Sequence, residues 1–168
     1  HGAGGGLELD AFARAHPSWT IVGDAPAEAM IAEAEKRLNH AQDRVAFHCG
    51  YIDDAPDGPF DAATSLLTLH FLDAESRRTT VENMVRRLKP GAPLVAVHCS
   101  FPQSEPARDV WLSRYAAFAV ASGADPGMAQ MAREGVSNSI ALLDPEKDLA
   151  VLQAAGLRVV TPFYSAFT

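Results

Sequence analysis

The sequence predicts an α/β fold with a doubly wound, mainly parallel sheet, helices on both faces and a small helical insertion. Short, apolar, β-branched segments alternate with longer Ala-, Glu- and Lys-rich segments along the chain. This alternation is typical of parallel strands joined by helical crossovers. Proline and glycine stand at many of the segment ends, where they stop helices and open turns. The 168 residues suffice for a single domain with its own core.

Six segments have helical character. The first ends before Pro17, because proline disfavours helix in the residue that precedes it. The six predicted helices are Leu7–His16, Pro26–Asn39, Ser76–Leu88, Pro106–Ser122, Pro126–Arg133 and Asp144–Gly156. In the second, spacing predicts one buried face made of Ala29, Met30, Ala34 and Leu38.

Five segments are predicted to be strands. Their boundaries are Trp19–Gly23, Arg44–Cys49, Phe60–Leu69, Pro93–Cys99 and Arg158–Phe167, with Pro162 marking a bend in the last. Together with the helices they predict one domain over residues 1–168, with the helical insertion at about residues 103–135. No repeat or low-complexity linker divides the chain.

Composition excludes some classes of function. The net charge is −7 and no Lys/Arg cluster stands out, which argues against broad binding to a nucleic-acid backbone. No apolar run reaches the ~20 residues that a membrane span requires. Cys49 and Cys99 are too few for a disulfide framework, which favours a reducing cytoplasm. A homodimer is compatible with these observations.

The glycine-rich start of the sequence is the main functional signal. Gly2, Gly4 and Gly6 form a G-x-G-x-G pattern directly before a helix. In parallel sheets the first strand-to-helix turn lies closest to the ligand, and glycine lets the backbone approach it. The dinucleotide pattern G-x-G-x-x-G fits less well, because Leu7 stands where a small residue is wanted. A Rossmann-like nucleotide site is therefore predicted here.

Further motifs follow the glycines in a recognisable order: GDAPAEAM, FHCGYIDDAPDGPFDAATSLLTLHFLD, RRLKPGAPLVAV and AAGLRVVTPFYSAF. The set resembles class I S-adenosylmethionine-dependent methyltransferases over nearly the whole chain. It is most similar to the branch of tRNA wobble-uridine carboxymethyltransferase-like and related small-molecule enzymes. The resemblance implies S-adenosylmethionine as cofactor and a small molecule, or a nucleoside in RNA, as acceptor. The acidic net charge favours the small molecule.

The resemblance implies a cofactor site around the glycine turn. The residues expected against the methionine part of the cofactor are Gly2, Ala3, Gly4 and Gly6. The family's ribose-binding acid falls in the register of Ala25, so Asp24 replaces it only if the strand end is kinked or shifted. Met30 matches a family residue near the adenine edge.

The adenine side of the implied site departs from the family pattern. A Gly-Asp pair usually follows the third strand of the family, and here that pair is Gly50-Tyr51. Asp53 and Asp54 are left as candidates for the adenine amino group, and Asp54 fits better. Tyr51, or the residue after it, is expected to cover the face of the purine.

On the acceptor side, the resemblance places Leu67 at the end of the strand that lines the methyl-transfer site. His70 is the best candidate for a catalytic or substrate-orienting role, and Arg114 or Tyr115 of the insertion is expected to face the acceptor. Methyl transfer needs orientation and exclusion of water more than a dedicated base, because the cofactor supplies the reactive group.

Two alternative functions stay open. Ala25 and Tyr51, in place of the usual acids, favour a non-catalytic binding or scaffolding relative. A nicotinamide-dependent oxidoreductase is disfavoured by Leu7. A metal site is not expected, because no CxxC or HxxxH pair accompanies His48 and His98.

The resemblance also implies two strands that the sequence does not contain. The family's central strand precedes the glycines, and its last strand follows the position of Thr168. We expect residues upstream of His1, or a partner, to pair between the WTIVG and ATSLL segments.

Overall fold

A computed structural model describes residues 1–165 as an α/β fold with six helices and four strands. The helices are α1 (Leu7–Ala15), α2 (Glu28–Arg37), α3 (Ala74–Arg86), α4 (Ala107–Ala121), α5 (Pro126–Ser139) and α6 (Pro145–Ala154). The strands are β1 (Ile21–Ala25), β2 (Val45–Cys49), β3 (Ala63–Leu66) and β4 (Leu94–Val97). The predicted helices and the first four predicted strands are therefore confirmed as elements.

The strands form two pairs. β1 and β2 are parallel and in regular register from Ile21 opposite Val45 to Ala25 opposite Cys49. β3 pairs with β4 in a separate two-stranded sheet. The N–H of Ala63 donates to the carbonyl of Pro93, and the N–H of Leu67 donates to the carbonyl of Val97. Both strands therefore run in the same direction, and this pair is parallel too.

Several predicted strands begin or end elsewhere, and β1 and β3 show the reasons. β1 starts two residues later than predicted, because Trp19 closes a turn on His16 and the two rings stack with centroids 3.9 Å apart. β3 ends at Leu66, well before the predicted end. Leu67 has a positive φ of 55°, and a 3₁₀ turn follows at Leu69–Phe71. A left-handed residue cannot continue an extended strand.

The strand predicted at Arg158–Phe167 is wrong over the part that the structure describes. Residues 158–165 adopt no strand, and Phe163 and Tyr164 are 75% and 78% exposed. Pro162 lacks the backbone N–H that a ladder needs. The last two residues of the predicted strand, Ala166 and Phe167, lie outside the described residues.

The chain divides into two compact units. Unit 1 comprises His1–Leu66 and Arg86–Val95, and unit 2 comprises Leu67–Val85 and the chain from Ala96 onward. The core of unit 1 joins the glycine-rich start to α1, α2 and β2: Ala3, Leu9, Ala13, Ala34, Leu38, Ala41 and Val45. Hydrophobic burial therefore fixes the start of the chain against these elements.

Helix α2 presents a different face to this core than the spacing predicts. Ile31, Ala34 and Leu38 are buried, whereas Met30 is 48% exposed. Two neighbouring stripes of α2 carry apolar residues, and only packing against the rest of unit 1 decides between them.

Unit 2 packs α4 and α5 around a small apolar cluster. Phe101, Leu112 and Val136 are buried there, and Trp111 and Tyr115 pack against them. Helix α5 begins at Asp125, whose side chain accepts hydrogen bonds from the N–H groups of residues 127 and 128. An Asp cap followed by proline is a strong helix start.

Candidate functional site

The glycine turn is the best-defined feature of unit 1. Gly2, Gly4 and Gly6 have φ of 74°, 49° and 79°, values that side-chain-bearing residues rarely adopt. Gly6 then serves as the N-cap of α1. A Cβ on Gly4 would meet nothing closer than 4.0 Å, so the backbone there is open to a ligand. The turn has the shape of an anion- or nucleotide-binding loop at a helix N-terminus.

Close packing holds this turn against unit 1. A Cβ on Gly6 would lie 2.9 Å from Cβ of Ala34, and a Cβ on Gly23 would lie 2.6 Å from Leu9. The N–H of Ala3 donates to the carbonyl of Asp24 at 2.8 Å. The turn is therefore fixed to both β1 and α2.

Asp24 lies within β1 and is 5% exposed. Its carboxylate Oδ2 is 2.5 Å from Nδ1 of His1, and regular pairing continues through Ala25. Burial raises the pKa of Asp24, against the lowering effect of nearby positive charge. The strand end is neither kinked nor shifted, which was the condition for Asp24 to reach a ribose. Ala25, in the acid's register, is 1% exposed.

The first residue also contacts β3 of the same unit. The backbone nitrogen of His1 donates to the carbonyl of Thr64 at 2.6 Å. The hydroxyl of Thr64 donates in turn to the carboxylate of Glu8 in α1. Polar contacts thus tie the segment before the glycines to β1 and β3.

The loop after β2 holds the two acids predicted to meet adenine. Asp53 and Asp54 are both exposed, in a turn closed by a hydrogen bond from Asp54 N–H to the carbonyl of Tyr51 at 3.2 Å. Tyr51 is 62% exposed and Ile52 is 9% exposed. Of these two side chains, only that of Tyr51 is exposed and accessible to a ligand. Met30 of α2 is also exposed, as an adenine-edge residue must be.

Arg87 supports this loop, although the sequence did not predict it as a site residue. It is 3% exposed, and its guanidinium donates to the carbonyls of Asp53, Ala55 and Pro56. The sequence signal was weak, because Arg86 and Arg87 are adjacent basic residues at a helix end. Only folding buries the second of them.

On unit 2, His70 is 4% exposed in the 3₁₀ turn after β3. Its Nδ1 accepts the N–H of Cys99 at 3.1 Å, so neutral His70 carries its proton on Nε2. Burial, with the positive charges of His98 and Arg77, lowers the pKa of His70 to about 4. His70 is therefore a neutral hydrogen-bonding group at physiological pH, and a poor base.

A buried charge network surrounds it and was missed from the sequence. Arg77 of α3 is 0% exposed and donates to Asp148 of α6 and to the carbonyl of Ala141 at 2.7 Å. His98 Nε2 lies 3.2 Å from Asp148 Oδ2. Burial by itself raises the pKa of Asp148, but His98 and Arg77 outweigh it and hold that pKa below its usual value. Such a network fixes His98, α3 and α6 to one another in unit 2.

The pattern did contain one signal for Arg77. It shares a helical stripe with Val81 and Met84 at positions i, i+4 and i+7, and both are buried. A charged residue on an apolar stripe needs a buried partner. The sequence does not reveal that this partner is Asp148.

The other acceptor-side residues are in unit 2 as well. Leu67 is 59% exposed with its positive φ, a strained backbone of the kind found at functional sites. Arg114 is exposed, and its guanidinium carbon lies 5.1 Å from the centre of the Trp111 ring. Tyr115 is half-buried against the cluster of α4 and α5. Among residues 1–165 no group of three potential metal ligands is present.

A glycine turn that caps the first helix and packs on a parallel strand pair is typical of Rossmann-like nucleotide-binding domains. The family comparison is more specific: residues 1–91 match the family described as a methyltransferase domain. The chain belongs to this methyltransferase-domain family. A comparison with curated proteins finds no match.

Solved structures show the same fold. The chain is similar to the [4+2]-cyclase SpnF, at 22% identity and a TM-score of 0.65 over 92% of this chain and 49% of that one. It is similar to YcgJ from Bacillus subtilis at 22% identity and a TM-score of 0.64, over 94% and 59%. The chain is also similar to PigF, solved with SAH, at 19% identity and a TM-score of 0.66, over 92% of this chain and 43% of that one.

The chain spans about half the length of these proteins. Likeness at such identities shows the fold alone. Within the described residues, no helix is long and apolar enough to cross a membrane.

Proposed function

We propose that this chain is the cofactor-binding domain of an S-adenosylmethionine-dependent methyltransferase that acts on a small molecule. The observation that supports it best is the turn at Gly2, Gly4 and Gly6, with three positive φ angles and an open surface at Gly4. Because residues 1–91 match a methyltransferase-domain family, we infer that this turn binds S-adenosylmethionine. The PigF structure holds SAH, and SibL is described as S-adenosylmethionine-dependent.

The residues present fit most of the cofactor. The turn offers backbone N–H groups and room for the methionine part, and the N-terminus of α1 favours its carboxylate. Tyr51 and Met30 are exposed apolar groups for the purine, and Asp54 is an exposed acceptor for an amino group. The cofactor itself supplies a methyl group on a positively charged sulfur.

The ribose is the exception to this fit. Ala25 has no polar side chain, and the Asp24 carboxylate is engaged by His1. We infer that ribose recognition in this domain relies on backbone groups. The loss of one charge-assisted contact costs about 1–3 kcal/mol, which weakens binding without abolishing it.

On the acceptor side, His70 would act as a neutral donor through Nε2–H and orient the acceptor. Its pKa of about 4 makes it a weak proton acceptor at neutral pH. Arg114 and Leu67 are exposed on unit 2 and are proposed to contact the acceptor. The net charge of −7 favours a small molecule over an RNA, and a nucleoside in RNA is the second choice.

The finer architecture belongs to the same proposal. We infer a single methyltransferase-like domain with a doubly wound sheet over residues 1–168. We infer that the helical insertion, predicted at about residues 103–135, consists mainly of helices α4 and α5.

A non-catalytic relative is the second candidate. Ala25, 1% exposed in the register of the ribose-binding acid, is the observation that favours it. Such a module would keep the fold and bind no cofactor.

Calorimetry on the full-length protein separates these functions. We expect S-adenosylhomocysteine to bind with a micromolar dissociation constant and NAD not to bind. A Gly4→Val variant should lose that binding. Gly135→Val in α5 is the matched control and should keep it. A folded wild-type protein that binds neither ligand would leave the non-catalytic module as the function.

A further inference from the structure

Arg87 makes an unusual set of contacts for a charged residue. It follows α3 directly and belongs to unit 1. Its Nε donates to the carbonyls of Ala55 and Pro56, both at 3.2 Å. Its Nη2 donates to the carbonyls of Asp53 and Ala55, both at 2.9 Å. One buried side chain therefore binds three carbonyl groups of the loop backbone, all between residues 53 and 56.

The backbone of Arg87 binds the other end of the same loop. Its carbonyl accepts the N–H of Phe60 at 2.8 Å, and Lys89 N–H donates to the carbonyl of Phe60 at 2.9 Å. A Cβ on Gly58, whose φ is 84°, would lie 2.5 Å from the Arg87 carbonyl oxygen. The loop from residue 53 to residue 60 thus closes on Arg87 at both ends.

Carbonyl dipoles stabilise the charge of Arg87. Its guanidinium also lies 3.9 Å from the carboxylate of Asp57, whose side chain is 95% exposed. An exposed partner at this distance contributes little. The carbonyls of residues 53, 55 and 56 are therefore held toward the guanidinium, since a buried cation without partners is costly.

This arrangement leaves the two acids of the loop at the surface. Asp53 and Asp54 are exposed, while their neighbours Ile52 and Ala55 are buried. An exposed carboxylate selects a ligand amino group only when its backbone is fixed, because a mobile side chain loses entropy on binding.

We propose that Arg87 is a positioning residue that makes the cofactor site selective for a purine with a 6-amino group. It fixes residues 53–56 so that the Asp54 carboxylate accepts that group's N–H. This inference rests on the proposed function, because it assigns the Asp54 loop to the adenine of the cofactor. Lysine cannot replace Arg87, because an ammonium is a point charge and does not span several carbonyls.

The test compares two ligands on the full-length protein. S-adenosylhomocysteine carries the 6-amino group, and S-inosylhomocysteine carries a 6-oxo group in its place. We expect the wild-type protein to prefer the first by about tenfold, the effect of one hydrogen bond to a charged group. Arg87→Lys and Asp54→Asn should each remove most of that preference, with little change in the affinity for the inosyl ligand. Arg86→Lys, at the exposed neighbouring arginine, should keep it.

Several outcomes would overturn the inference. One is a folded Arg87→Lys protein that retains the preference, and another is an equal loss of affinity for both ligands, which indicates a general structural role. If Arg87→Lys does not fold, Asp54→Asn decides alone, since Asp54 is exposed. A wild-type protein that binds both ligands equally contradicts the role of Arg87 and leaves the proposed function intact. A wild-type protein that binds neither ligand overturns both.

Discussion

Nδ1 of His1 lies 2.5 Å from Oδ2 of Asp24, and both side chains are more than nine-tenths buried. The carbonyl of Asp24 also accepts the N–H of Ala3. Asp24 therefore holds the chain on both sides of Gly2, once through its side chain and once through its backbone. Its carboxylate supports the glycine turn and is not exposed to a ribose.

Replacement of Asp24 should affect stability together with cofactor binding. Asp24→Ala leaves the buried His1 ring without its partner, so the free energy of unfolding should fall by about 1–3 kcal/mol. Asp24→Asn should cost less, because its amide oxygen can still accept from Nδ1–H. Urea unfolding and calorimetry with S-adenosylhomocysteine measure the two effects. Asp43→Asn, at an exposed carboxylate, is the control. An Asp24→Ala protein of unchanged stability but weaker cofactor binding would instead indicate direct ligand contact.

Gly6 should not tolerate a side chain. Its φ is 79°, and a Cβ would lie 2.9 Å from Cβ and 3.0 Å from Cα of Ala34. Backbone strain and overpacking predict that Gly6→Ala destabilises the protein by about 2–4 kcal/mol. Gly135→Ala is the matched control, because nothing lies within 4 Å of its Cβ position in α5. The control should stabilise by up to about 1 kcal/mol. Equal thermal unfolding of the two variants would contradict the packing described here.

The pair of Arg77 and Asp148 should behave as a buried ion pair. Their side chains are 0% and 5% exposed. Asp148→Leu alone leaves a buried guanidinium and should cost about 3–5 kcal/mol, whereas the double variant Arg77→Met/Asp148→Leu should recover much of that loss. Chemical denaturation of the wild type, the single variants Asp148→Leu and Arg77→Met, and the double variant gives the coupling energy. For comparison, Asp10→Ala removes a solvent-accessible partner of Arg14 and His40 and should cost far less than Asp148→Leu. A double variant no better than the single one would argue against the ion pair.

His70 should make stability depend on pH between about 4 and 6.5. Its pKa is about 4 in the folded protein and near 6.5 when unfolded. In that window the unfolded state binds the extra proton, so the free energy of unfolding falls as the pH decreases. The full effect is on the order of 3 kcal/mol, at about 1.4 kcal/mol per pKa unit. His70→Gln should flatten the curve in this window.

Asp148 gives a separate signature at lower pH. Its pKa is lowered in the folded protein, so its contribution is present above its unfolded pKa of 3.8 and is lost as the pH falls through the folded value. Urea unfolding from pH 3 to 7 resolves the two windows. A curve for His70→Gln that matches the wild type above pH 4 would contradict the assignment to His70.

Local patterns were enough to predict most of the elements and part of the candidate site. Proline and glycine set the helix ends, and four short apolar segments became β1 to β4 within a few residues. The glycine turn could be predicted from G-x-G-x-G together with the motifs that follow it, because the pattern alone is weak; Gly2, Gly4 and Gly6 all have positive φ. These features depend on interactions between residues close in sequence.

The remainder depends on contacts between distant residues. Spacing alone could not tell that Ile31 and not Met30 packs inward, because neighbouring stripes of α2 are both apolar. The end of β3 could not be predicted, because a leucine at position 67 gives no indication that its φ is positive. The segment after Arg158 has strand composition, but a strand forms only with a hydrogen-bonded partner.

The sequence by itself determined the class of this protein: alternating elements, a glycine turn and a methyltransferase-type order of motifs. The tertiary structure decided which polar residues are buried and with whom they pair. Asp24 meets His1, Arg77 meets Asp148 across 71 positions, and Arg87 meets the loop of Asp53 and Asp54. A charge can be buried only where folding supplies a partner. The partner's position is set by packing of the whole unit and not by any local pattern.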